Sequence, residues 1–159
     1  MNIKDEWNEY FETSTEQEQQ VMKRFLNSLK TKREKQHKTH IASLLDFKTT
    51  RINDHTLEME MPNSPLLDNA IGILHGGLTA TLLDTAMGTM ASLVPGNKRG
   101  TVTVELKVDF LTPGVGELFI CRAEVVHNGR QLVRMDGKVR NEKGTLIASA
   151  SGTFFKLAE

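Results

Sequence analysis

The spacing of apolar residues changes along this chain, and each change predicts a new element. Ile3, Trp7, Tyr10 and Phe11 recur at helical spacing and predict a short amphipathic helix. Thr15-Glu16-Gln17-Glu18 reads as a capping box that starts a second helix, with Val21, Met22, Phe25, Leu26 and Leu29 on its apolar side. Residues 41–47 suit a short helix or turn. Two strand-like runs then flank Asn53-Asp54 as a hairpin, and Pro62 and Pro65 end the second. In the stretch 69–92, Leu78, Leu82, Leu83, Ala86, Met87, Met90 and Ala91 predict one long helix, stopped near Pro95-Gly96. Its remaining positions are mostly Ala, Thr and Gly, so nearly every side of it is fit for burial.

Beyond the helix the period becomes two. Val102, Val104, Leu106, Val108 and Phe110 alternate with Thr103, Glu105, Lys107 and Asp109, which predicts a half-buried strand. Strands at 117–126, 132–140 and 145–155 follow, joined by tight turns at 127–130 and 141–144. Short turns of this kind imply an antiparallel meander. A helix with no polar side needs cover, and the sheet is the element available to wrap it. The expected class is α+β: a long central helix wrapped by six antiparallel strands, with a helical extension in front. Domain limits are expected at 1–38 for that extension and 39–159 for the wrapped helix.

Composition narrows the function classes. The chain has 159 residues, one-domain size, with 20 basic and 20 acidic side chains. Zero net charge gives no general field toward nucleic acid or an anionic membrane. Charge is nonetheless split at the front: positions 1–20 hold six acidic residues and one Lys, and 21–40 seven basic residues and one Glu. Docking of this amphipathic pair on the domain or on a second subunit is the simpler use for it. Cys121 cannot form an internal disulfide and lies in an apolar strand, so it reads as packing in a reducing compartment. The first 20 residues show no signal-peptide pattern, and no apolar run is long enough to span a membrane. A cytoplasmic protein is expected. The His residues and Cys121 show no zinc spacing, and no phosphate-binding glycine loop or Gly-x-Ser-x-Gly elbow occurs. Neither a metal nor a cofactor is expected.

Candidate chemistry gathers on the long helix. Asp84 is a full charge amid apolar and small residues, where a carboxylate is costly unless it is answered. At the front, His75-Gly76-Gly77 offers backbone amides that lack helical partners and carry the positive end of the dipole. Such an end polarises a carbonyl or holds a developing oxyanion.

The combination Asn69-x-x-Gly72-x-x-His75-Gly76-Gly77 with Asp84 resembles the signature of hotdog-fold acyl-CoA thioesterases of the phenylacetate-pathway (PaaI-like) type. The run 103–113 does so too, and the resemblance covers roughly residues 40–157. It implies a hotdog fold and hydrolysis of an acyl-CoA to a free acid and CoA. Asn69 and the Gly76 N–H would grip the thioester carbonyl, with His75 helping to orient Asn69. Asp84 would be the nucleophile or the general base that aims water, and Thr103 would bond the water or the Asp. Gly77, Phe110, Thr112 and Pro113, with the turn residues Asn128, Gly129 and Arg130, would line the path for acyl-CoA. Arg130 could also meet a phosphate. The resemblance also implies a homodimer, and dimers that pair as tetramers stay open.

Spacing adds a requirement of its own. A helix rises about 1.5 Å per residue, so Asp84 lies roughly 12 Å along the axis from Gly76. A base must come within about 3 Å of the atom it serves, directly or through one water. One helix therefore cannot present both groups to one carbonyl, and two copies of the chain are needed if both act. Plainer readings stand beside these. His75 suits a helix cap, and Asn128, Gly129 and Arg130 are first of all a turn. Strict alternation puts Thr103 and Glu105 together on the polar side of their strand. There Thr103 could be merely solvated, and Glu105 would be the spare carboxylate. A non-catalytic acyl-CoA sensor is the competing function. As a repressor it would need a DNA-reading helix-turn-helix, which two helices of half-acidic sequence suit poorly. A hotdog hydratase lacks its Asp–His pairing here.

Overall fold

The structure, a computed structural model, describes residues 2–157. Met1, Ala158 and Glu159, at the outer limits of the two expected domains, lie outside the described residues. The chain forms two compact units. One runs to Asp46 and includes Ser64–Leu66; the other comprises Phe47–Asn63 and the chain from Leu67 onward.

The first unit is helical. α1 (Ile3–Thr13) is capped by Asn2, whose side chain accepts from Lys4 N and Asp5 N. α2 (Glu16–Arg33) starts with the capping box read from Thr15 and Glu18, both bonds being present. Tyr10 donates from its hydroxyl to Glu18 Oε1 at 2.8 Å, tying α1 to α2. The Thr15 backbone N–H and hydroxyl hold the Glu18 carboxyl below its ordinary value. α3 (His40–Leu44) packs on α2, where Arg24 Nε donates to Leu44 O at 2.8 Å.

The second unit is one six-stranded antiparallel sheet around a single helix. Its strands are β1 (Lys48–Arg51), β2 (Thr56–Pro62), β3 (Thr101–Phe110), β4 (Leu118–Asn128), β5 (Leu132–Asn141) and β6 (Leu146–Lys156), in the spatial order β1-β2-β4-β5-β6-β3. α4 (Gly76–Leu93) packs against β2, β3, β4, β5 and β6. Leu82, Leu83, Ala86, Met87, Met90 and Ala91 are fully buried, as are Leu57 and Met61 of β2, Phe119 and Cys121 of β4, and Val133 and Met135 of β5, the strands on which α4 packs. Two glycines let helix and sheet come close. A Cβ on Gly137 would stand 3.0 Å from Met87 Sδ and Leu83 Cδ2, and one on Gly152 3.4 Å from Met87 Cε. Burial pushes the Cys121 thiol up to about 12, so it is inert packing.

Three expectations need correction. A sequential meander holds only for β4, β5 and β6. β3 crosses to the far side and pairs with β6, because an 18-residue helix separates it from β2. β3 is not half-buried: Val102, Val104 and Phe110 are 48%, 61% and 57% exposed, since as an edge strand it has no neighbour beyond it. Its alternation is also broken. The register with β6 runs Thr103↔Phe154 and then Glu105↔Thr153, so Val104 is a bulge with no partner. The extra residue reverses the side parity, placing Thr103 on the helix side and Glu105 on the outer side.

Candidate active site

The front of α4 is built by its cap. His75 is the N-cap residue, in extended backbone, and its Nδ1 accepts from Gly77 N at 3.0 Å. That bond leaves Nε2 to carry the proton of the neutral ring. His75 O accepts from both Leu78 N and Thr79 N, while Gly76 N, the first helical amide, makes no hydrogen bond among the described residues. A Cβ on Gly76 would lie 3.4 Å from the ring of Phe110, so this residue sits beside that aromatic side chain.

Asn69 stands in the loop before the helix. Its Oδ1 accepts from Ile71 N at 3.0 Å and Ile73 N at 3.4 Å. Asn69 N donates to Ile73 O, and Gly72, at φ +73°, donates to Asn69 O. The acceptor end of the amide is thereby committed to the loop, which leaves its NH2 as a donor. Asn69 and Gly76 line one pocket of about 320 Å³, together with Thr79, Phe110, Thr112 and Pro113. Apolar cover comes from Leu74 and Ile147.

Asp84 is not in that pocket. It is half-buried rather than enclosed, because the chain by itself leaves that side of α4 open. Its Oδ1 accepts from Thr103 Oγ1 at 2.8 Å, a bond that exists because the bulge turns Thr103 inward. Glu105 points to the other side of the sheet, where Arg134 Nη1 donates to it at 3.3 Å. It cannot serve as a spare carboxylate beside the helix.

The turn residues form a third group. Lys156 Nζ donates to Asn128 Oδ1 at 2.6 Å and to Gly129 O at 2.8 Å, and Asn128 Nδ2 donates to Pro95 O at 3.3 Å. Asn128 and Gly129 thus lock the turn onto the C-terminal end of α4, leaving Arg130 exposed. An 18-residue helix is about 27 Å long, so one chain does not place this turn beside Phe110 and Pro113. Gly77 is exposed at the helix front, with its amide spent on His75. Thr79, Leu74, Ile147 and Lys156 escaped the sequence reading. Thr79 had a signal in its position one turn beyond Gly76; the others are near the site only through tertiary contact.

Residues 71–148, from the loop before α4 into β6, match the family described as the thioesterase superfamily. A solved structure of the BH2602 protein from Bacillus halodurans with CoA is similar over nearly the whole chain: 36% identity, TM-score 0.84, covering 92% of this chain and 97% of that one. The chain belongs to the thioesterase superfamily. Its wrapped helix and six-stranded sheet are the hotdog fold of that superfamily, with a helical extension in front. As a superfamily member it is a thioester hydrolase. Among named relatives, the medium/long-chain acyl-CoA thioesterase YigI of Escherichia coli K12 is 27% identical, covering 69% of this chain and 81% of that protein. Human acyl-coenzyme A thioesterase 13 is 38% identical over 87 residues, 54% of this chain and 61% of that protein. Among the described residues no helix is long and apolar enough to cross a membrane.

Proposed function

We propose that this thioesterase hydrolyses acyl-CoA at a site completed by two copies of the chain. The observation that carries this reading is the division of the machinery along α4. Asn69 and Gly76, each with an uncommitted donor, line one pocket, while the Asp84–Thr103 pair stands eight residues further on.

The exposed edge gives the means of bringing them together. β3 offers unpaired backbone groups and exposed Val102 and Val104, a ready template for another strand. A two-fold contact joins like to like, so β3 pairs antiparallel with β3 of the second copy. With the two-fold at the middle of the strand, that pairing lays Thr101 of one copy near Phe110 of the other. Asp84, held by Thr103, then approaches the partner's Gly76, which sits beside the partner's Phe110. The 128–130 turn is fixed near Thr101 by Lys156, the residue opposite Thr101 in the ladder. It moves the same way, and Arg130 reaches the mouth of the partner's pocket, where a CoA phosphate would lie.

The chemistry needs no further group. The thioester oxygen accepts hydrogen bonds from Gly76 N–H and Asn69 Nδ2, which draw charge onto it as the tetrahedral state forms. The carboxylate of Asp84 takes a proton from water while that water attacks the carbonyl carbon. Collapse of the oxyanion breaks the carbon–sulfur bond, and the departing CoA sulfur receives the proton. Direct attack by Asp84 uses the same groups and passes through an anhydride that water then opens. In either route Thr103 fixes the carboxylate's second oxygen outward, and His75 fixes the helix front. The test is thiol release from a panel of aryl, short and medium acyl-CoAs by purified protein. Turnover above the uncatalysed rate is expected, and none with any substrate would overturn the reading.

A further inference from the structure

The hydrolysis uses Asn69, Gly76, Asp84 and Thr103, yet two more polar side chains line the pocket, the exposed Thr112 and the buried Thr79. Thr79 is only 2% exposed and lines the pocket beside Asn69 and Gly76. Its backbone N–H donates to His75 O, but its Oγ1 makes no hydrogen bond among the described residues. A threonine in a helix ordinarily returns its hydroxyl to the carbonyl one turn back. Thr81 does so, donating to Gly77 O at 2.9 Å. The corresponding carbonyl for Thr79 is His75 O, which already accepts two backbone N–H groups. The Thr79 hydroxyl therefore opens into the pocket, among Leu74, Phe110 and Ile147.

Valine would fill the same volume with no polar group to satisfy, so packing alone does not call for a hydroxyl here. A few placed polar groups among apolar ones are how binding pockets fix orientation and choose among ligands. Thr79 lies three residues past Gly76, about 4.5 Å along the same side of the helix. With the thioester oxygen on the Gly76 N–H, its hydroxyl stands beside the acyl chain just beyond the carbonyl carbon.

We propose that the pocket is specific for acyl groups with an oxygen on the β carbon, and that Thr79 Oγ1 is the hydrogen-bond partner of that oxygen. This rests on the proposed acyl-CoA hydrolysis and names its substrate class. A threonine hydroxyl both donates and accepts, so a β-hydroxyl and a β-ketone are both served. An unsubstituted chain displaces water from Thr79 without replacing its bond, and the site discriminates against it.

Matched pairs of unsubstituted and β-hydroxy acyl-CoAs, short and medium in chain length, test this with wild type, Thr79→Val and Thr79→Ser. Wild type is expected to favour the β-hydroxy member in kcat/KM by roughly tenfold or more. Thr79→Val should bring the ratio near one, and Thr79→Ser, which keeps the hydroxyl, should retain most of it. Thermal melting reports on folding, and Thr79→Ala replaces the valine variant if that one fails to fold. A wild-type ratio near one, or a ratio unmoved by losing the hydroxyl, overturns the proposal and leaves the hydrolysis standing. No turnover of either substrate overturns both.

Discussion

Thr103 Oγ1 donates to Asp84 Oδ1 across 2.8 Å, from an edge strand to the middle of α4. The bond depends on the unpaired Val104, since a regular strand would put Thr103 beside Glu105 on the outer side. It restrains one oxygen of the carboxylate and leaves the other open. In the proposed reaction the loop-anchored Asn69 and the front of α4 would supply the electrophilic half of the site, and this pair the basic half.

Asp84→Asn should keep the fold, because an amide of the same shape accepts the Thr103 bond. It should lower kcat by about two to four orders of magnitude, the usual worth of a positioned base. Thr103→Val removes only the restraint and should cost about tenfold. Steady-state kinetics with melting curves for each variant check both. Near-normal activity in Asp84→Asn would remove Asp84 from the chemistry.

Two inactive variants should rescue each other. With Asn69→Ala and Asp84→Ala chains mixed under conditions of subunit exchange, every mixed dimer carries one site with both defects and one with neither. Random mixing makes half the dimers mixed, so recovered activity should approach about a quarter of wild type per chain. Exchange confirmed by mass labelling with no recovery would mean that Asn69 and Asp84 serve one site from one chain.

Gly137→Ala should destabilise the domain without touching the site. Its Cβ would press on Met87 Sδ and Leu83 Cδ2 at 3.0 Å, beneath the middle of α4. Overpacking of this kind costs about 1–3 kcal/mol. Denaturant titration should show a lower midpoint at constant slope, and an unchanged midpoint would mean that the Met87 side chain simply moves aside.

Glu142 links the β5–β6 turn to the start of β4. Its own backbone N–H, and those of Leu118 and Glu117, hold its carboxyl below the ordinary glutamate value. A depressed folded value means the stabilisation is complete above the unfolded value and is lost as pH falls through the folded one. Glu142→Gln should therefore lower Tm at neutral pH and narrow its gap to wild type in acid. A gap that stays constant with pH would exclude the carboxylate as its source.

Local order carried much of this molecule in its sequence. The capping box at Thr15 and Glu18, the β1–β2 hairpin, the 127–130 and 141–144 turns and the all-round apolar α4 follow from neighbouring residues alone. The same holds for the candidate site at its densest, where His75, Gly76 and Gly77 fix a helix start and Asn69 ties its own loop. What the sequence could not decide was which side of β3 each residue takes, and where that strand lies in the sheet. Both depend on pairing with β6, which is distant in sequence, and one unpaired residue at Val104 reverses every side chain beyond it. Likewise, Thr79 could be read as one more small residue of a buried helix. Only the packed chain brings Phe110 and Ile147 to the same pocket as Thr79.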